Sequence, residues 1–440
     1  MKQKYNQIIL EPDELPKQWY NILADLPEPL PPPKTPEEGP NRFEILQKSM
    51  LKTALEQEFA KDRWIAIPEE IRELYIQAGR PRPLYRAKRL ERALKLPENK
   101  IRLYYKREDL SPTGSHKVNT ALAQVYYAAK EGYESVVTET GAGQWGSALS
   151  YAATLMNLKA IIFWVKFAHD WKPDRRTLMK LYGAEVYPSP SKITETGRKI
   201  LEKNPNHPGN LGIAVSEGLE YALTHEESVY CLGSVLNHVL MHQTIIGLET
   251  IEQFKKIDDY PDVMISCLGG GSNFGGFVLP FIGQKLRKQA PKDTRFIAVQ
   301  AEGSASLVKG EYRYDFADHA EMTPLLKMYT LGHRVEMPTI YAEGLRYHAA
   351  SPIISYLRHK GIVEATAFPP DEQHVFDRAR LFMQAEGFIP APESSYGIAY
   401  AIDLALEAKK QGKELVIAFN VSGHGFLDLF AYRKILFGEK

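Results

Sequence analysis

From about Ile101 onward, short apolar runs alternate with longer segments whose apolar residues recur every three or four positions. The runs 135–138, 160–165, 263–268, 295–300 and 414–421 are brief and apolar on both faces, as buried parallel strands are, and several end in glycine-rich turns. The stretches between them carry a single apolar stripe, as helices covering such a sheet do. The predicted class is α/β, with two domains of mostly parallel sheet flanked by helices and an active site between them. The first 80 residues read differently. Pro27, Pro29, Pro31, Pro32, Pro33, Pro36 and Pro40 each fix φ and remove a donor, which predicts an extended arm or strap. Helical spacing begins near Asn41, and Gly79-Arg80-Pro81-Arg82-Pro83 interrupts it. The chain therefore divides into a leader (1–80), a first domain (81–245) and a second (246–440).

Charge and composition narrow the class of ligand. With 55 basic and 54 acidic residues the net charge is +1, and no long run has one sign, so neither nucleic acid nor an anionic membrane is an expected partner. Small molecules are. The only cysteines, Cys231 and Cys267, lie far apart without metal-ligand spacing, which points to a reducing cytoplasm and away from a zinc site. His238 and His242 are one helical turn apart but lack a third ligand, so packing is expected of them, and no metal site is predicted. No apolar run is long enough to span a membrane, and residues 1–10 do not read as a signal peptide.

Three motifs carry chemistry. Gly114-Ser115-His116-Lys117 leads into a helix, placing Lys117 where the macrodipole disfavours a cation. Such a lysine either reaches solvent or works uncharged, as an imine to an aldehyde does. The run Gly269-Gly270-Gly271-Ser272-Asn273 follows a strand and starts a helix, so its backbone N–H groups can close on a phosphate. It lacks the Lys-Ser/Thr ending of a Walker loop; a plain tight turn, or a dinucleotide site with Glu302 on the ribose, remains open at this point. The third motif, Glu139-Thr140-Gly141-Ala142-Gly143-Gln144-Trp145, puts an acid at a strand tip before a glycine-rich turn suited to a carboxylate.

Together with Glu386 to Ser394 and Ser422-Gly423-His424-Gly425, these motifs resemble, in order, the tryptophan synthase β chain, most closely its second, longer class. The resemblance implies a pyridoxal phosphate (PLP) enzyme that makes L-tryptophan from L-serine and indole through a Lys117 imine and an aminoacrylate. It assigns Lys117 and Glu139 as catalytic. His116, Gly269, Gly270, Gly271, Ser272, Asn273, Glu393 and Ser422 would hold the cofactor. Thr140, Gly141, Ala142, Gly143, Gln144 and Trp145 would hold the substrate, with Glu364 as a stand-in for the family's aspartate near the serine hydroxyl. Ser422 at the ring nitrogen would make a weaker electron sink than an aspartate would, which favours elimination and replacement at Cβ.

Two departures touch the site: Trp145 stands where the family usually has histidine, and His424 where arginine is expected. The resemblance also implies a homodimer and a monovalent cation on backbone oxygens. An α-subunit partner is in question because the leader alters its docking face. The rival within the cofactor class is a serine or threonine dehydratase; the rival outside it is a non-catalytic nucleotide-binding or regulatory module.

Overall fold

In the computed structural model, which describes residues 6–439, the five apolar runs all form strands and are divided between two sheets. The larger sheet has the order Gln7–Ile8, Leu84–Arg86, Ile101–Arg107, Leu415–Val421, Val263–Cys267, Arg295–Ala301 and Val363–Phe368. Its first two strands join antiparallel and the remaining five are mutually parallel. The smaller sheet is parallel throughout, in the order Glu185–Ser189, Lys159–Val165, Ser135–Thr140 and Ser228–Tyr230. Alternation along the strands sorts side chains onto two faces of the larger sheet. Met264, Val416 and Ala418 enter one core, and Val263, Ile265, Ile417 and Phe419 enter the other. The first core runs on through Val136, Ile162 and Phe163, so the two sheets share a continuous apolar contact.

Two expectations about organisation need correction. Strands Leu84–Arg86 and Ile101–Arg107, which the sequence reading grouped with residues 81–245, pair into the larger sheet beside Leu415–Val421. The smaller sheet is thus inserted within the larger unit, a long-range pairing to which local periodicity is blind. Nor is the leader only an extended arm. Residues 27–40 lack helix, as the prolines require, touching the body through a Lys34–Leu325 bridge. On either side of them, Trp19, Tyr20 and Ile71 are core residues, and Gln18–Tyr20 pairs with Trp64–Ala66. Residues 1–5 lie outside the described range.

Beneath the start of helix Val118–Lys130 sits a fully buried ionic cluster. Arg80 bonds Glu249 (2.7 Å) and Glu108 (2.6 Å), Arg82 bonds Glu108 (2.5 Å), and Lys106 bonds Glu249 (2.7 Å). Asn119, in the helix's first turn, accepts from Arg80 Nε (2.9 Å) and donates to Gln243 (2.9 Å), which ties the Lys117 segment to this cluster. Burial drives the Glu108 carboxyl toward its neutral form, but Arg80, Arg82 and Lys106 outweigh it and hold its pKa at about 2. Removing one anion would leave three buried cations against one carboxylate. Glu249→Ala is therefore expected to lose about 3–5 kcal/mol in equilibrium denaturation, against near-neutral effects for exposed charge removals such as Glu311→Ala.

Candidate active site

The carboxyl ends of five strands, three from the larger sheet and two from the smaller, open on one cavity. After Ile101–Arg107 come His116 and Lys117; after Ser135–Thr140, Gly141, Ala142, Gln144 and Trp145; after Ser228–Tyr230, Leu232 to Val235. After Val263–Cys267 comes Gly269 to Asn273, and after Leu415–Val421, Ser422. Ligands in open α/β sheets bind at this end because the loops there differ while the strands hold their roots.

Lys117 caps helix Val118–Lys130 with φ −64° and ψ −22°, and its Nζ donates to the Gly233 carbonyl at 3.2 Å. Burial lowers its pKa to about 8, with Glu139 and Glu393 pulling the other way. The preceding loop is anchored to the Ser422 strand end, for His116 N–H donates to Ser422 O at 2.9 Å. The His116 ring lies between Ser422 O and Ser272 Oγ, 3.3 Å from each, and burial keeps it neutral with a pKa of about 3. Ser422 Oγ is 2.7 Å from Ser394 Oγ and 3.7 Å from Cys267 Sγ.

In the glycine run, among the described residues, the amides of Gly269, Gly270, Gly271, Ser272 and Asn273 have no protein acceptor. They converge at the start of helix Ser272–Leu286, which is the arrangement that holds an anion. These glycines are also required by packing: a Cβ on Gly269 would lie 2.4 Å from Gly344 O, and Gly271 has φ +127°. Asn273 turns inward, donating to Ser266 Oγ at 2.6 Å and accepting from Asn420 Nδ2 at 2.6 Å, so it braces the turn.

Glu139 is buried at the tip of Ser135–Thr140. Desolvation raises its pKa to about 7, while hydrogen bonds from Tyr230 and Thr138 restrain the rise. Beyond it, the amides of Gly141, Ala142 and Gly143 also have no protein acceptor among the described residues. Trp164 is fully buried and donates from Nε1 to Gly141 O at 2.8 Å, shaping this turn. Glu393 accepts from Gln144 Nε2 (3.0 Å) and from Gly344 N–H (2.8 Å), bridging the carboxylate loop to the opposite wall.

Most of the sequence-predicted residues thus meet in one cavity, but Glu364 does not. It lies near the amino end of Val363–Phe368, away from the strands' carboxyl ends, half-exposed and paired with Arg295 at 2.8 and 2.6 Å. Gly143 caps helix Gln144–Leu155 at φ +88°, and its role is steric, since a Cβ there would lie 2.4 Å from Arg175 Cδ. Glu302 pairs with Lys309 on the surface and takes no part in the cavity. His424 packs on Gly114 outside the lining. His238 Nδ1 bonds Glu58 (2.9 Å), and His242 bonds Gln57 (2.9 Å). Sequence reasoning missed Leu46 and Met50, which the leader supplies to the apolar side of the cavity, and Glu343, Tyr230 and Tyr347, which line it from distant segments. Only the helical spacing after Asn41 offered a signal, and only for the first two.

A family profile described as pyridoxal-phosphate dependent enzyme matches residues 75–423. "Tryptophan synthase beta chain 2" of Methanothermobacter thermautotrophicus is 52% identical, covering 99% of this chain and 99% of that protein. The protein of the same name from Aeropyrum pernix is 54% identical over 97% of this chain and 94% of its own. The chain belongs to the tryptophan synthase β-chain family of pyridoxal-phosphate-dependent enzymes. A fungal L-serine ammonia-lyase from Rhizomucor miehei shares the fold at TM-score 0.58 and 19% identity, covering 80% of this chain and 97% of that one.

The cavity fits the family's cofactor on its own terms. Five acceptorless amides suit a phosphate, a buried amine of lowered pKa suits an aldehyde, and the Ser422 hydroxyl offers a neutral partner to a ring nitrogen. Gly269→Ala should preserve far-UV circular dichroism while weakening PLP binding by about 1–3 kcal/mol, the usual cost of an added methyl in a tight site. Titrating apo-protein with PLP checks it.

Proposed function

We propose that this chain forms L-tryptophan from L-serine and indole, with PLP carried on Lys117 and Glu139 as the proton-transfer group. The observation that carries the reading is that Lys117 and Glu139 line one cavity, in a chain half identical over nearly its whole length to curated tryptophan synthase β chains. PLP, when bound, supplies the electron sink that labilises the Cα–H and Cβ–O bonds of an amino acid. The rest is done by side chains and amides of this chain. The amides of Gly141 and Ala142 orient the substrate carboxylate. The Lys117 amine takes the Cα proton, which it can do because burial favours its neutral form. The Glu139 carboxyl, with a pKa of about 7, gives a proton to the departing serine hydroxyl and takes one up when indole adds. Leu46, Met50 and Leu219 present an apolar wall suited to indole and exclude water from the reacting carbons.

The dehydratase alternative has no comparable support: the ammonia-lyase likeness is one of fold, and the carboxylate loop here is Glu139-Thr140-Gly141-Ala142-Gly143. The same reading carries a homodimer and a cytoplasmic location as expectations, with an α-subunit partner as a further option to be assayed. Among the described residues no helix is long and apolar enough to cross a membrane.

Three outcomes are expected. Purified protein given serine and indole should make tryptophan; pyruvate in equal amount with and without indole would contradict the reading. Glu139→Gln should retain the visible cofactor absorbance and lose turnover by about 10²-fold or more. PLP uptake by apo-protein should also quicken as pH rises through about 8, because only the neutral Lys117 amine has a free lone pair; stopped-flow absorbance checks this.

A further inference from the structure

Behind Glu139 stand three hydrogen-bond donors with no other part in the proposed reaction. The Tyr230 hydroxyl makes a short hydrogen bond to Glu139 Oε2. Thr138 Oγ1 lies 3.1 Å from the same Oε2 and 2.5 Å from the Cys231 carbonyl oxygen. Trp145 Nε1 donates to Thr138 Oγ1 at 2.6 Å. All of these side chains are buried. Oε1 of Glu139 has no protein partner among the described residues, and the residue borders the cavity. One carboxyl oxygen is therefore held by the protein and the other is left for the reaction.

A threonine hydroxyl has a single proton, and the indole N–H of Trp145 already occupies one of its lone pairs. Of the three acceptors within reach the Glu139 carbonyl is the farthest, at 3.3 Å, so that proton chooses chiefly between the other two. An ionised carboxylate is the stronger acceptor, whereas a neutral carboxylic acid competes poorly with a backbone carbonyl. We propose that Thr138 is a positioning residue whose proton turns to Glu139 Oε2 when the carboxyl is ionised and to the Cys231 carbonyl when it is protonated, with Tyr230 as the constant donor to Oε2. Each state of Glu139 then meets the hydrogen-bond arrangement that suits it, with the Cys231 carbonyl giving up its Thr138 donor only while the carboxyl is charged. Trp145 has a specific place in this. A histidine, the usual family residue there, offers a donor or an acceptor according to its tautomer, whereas an indole always donates, so Thr138 Oγ1 is kept as acceptor from one side and donor to the other.

The other titratable groups around Glu139 are compatible with this role. Lys117, Tyr230, Tyr347 and Cys231 face it. Burial holds both tyrosines and the thiol protonated far above neutral pH, which leaves Lys117 as the one neighbour whose charge changes near the working range.

The proposal rests on the reading of Glu139 as the proton-transfer group, and the test separates the two. In PLP-loaded protein carrying ¹³C at glutamate side-chain carboxyls, the Glu139 resonance is assigned by its loss in Glu139→Gln, and its titration midpoint is compared across variants. Thr138→Val and Tyr230→Phe each remove a donor to the charged form, so each should raise the midpoint, by roughly one pH unit. The matching limb of the pH profile for tryptophan formation should move with it. Thr138→Ser restores the hydroxyl and should return both to their original positions. Unmoved midpoints in Thr138→Val and Tyr230→Phe, with Glu139→Gln inactive, would overturn the positioning proposal alone. Full turnover by Glu139→Gln would remove the premise and the proposal with it.

Discussion

Desolvation of one amine and one carboxyl in a shared cleft is the constraint around which this molecule is built. In water, a lysine amine is protonated and a glutamate ionised at neutral pH, and neither could then do the work assigned to it. Burial penalises both charges, bringing Lys117 down to about 8 and Glu139 up to about 7, so each changes protonation readily in the range where the enzyme must act. Neighbours set the limits of the effect. Glu393 and Glu139 keep Lys117 from falling further, and Tyr230 and Thr138 keep Glu139 from rising further.

Such burial requires a rigid and well-sealed frame, and the architecture supplies it from two sheets. Lys117 stands on a helix whose first turn is fastened through Asn119 to the Arg80–Glu108–Glu249 cluster, while Glu139 stands on a strand of the smaller sheet. One apolar core joins the two supports. The leader closes part of the remaining side with Leu46 and Met50. The cavity is thus assembled from segments far apart in sequence, each rooted in regular structure.

What was legible in the sequence follows from how local the cause is. The five apolar strands stood out because both faces of each are buried, and the Asn41 helix start because its cap is a local hydrogen bond to the Phe43 amide. The Gly269 to Asn273 cup and the Lys117 loop were readable since a run of glycines and a helix start are contiguous features. Pairing of Ile101–Arg107 with Leu415–Val421 was not, because nothing in either run names its partner. Glu364 misled for the same reason: its spacing resembled a family position, but its place at the amino end of a strand turns it to Arg295 and solvent. Tyr230 reaches Glu139 from the neighbouring strand, and no spacing rule announces that meeting, whereas Thr138 is Glu139's own chain neighbour.

The central claim is that Lys117 is the amine that carries PLP, and chemical trapping tests it most directly. Borohydride reduction of the PLP-loaded protein, followed by proteolysis and mass spectrometry, should find one pyridoxyl group per chain, on the Nζ of Lys117. A label on another lysine, or a reduced protein bearing none, would contradict the account.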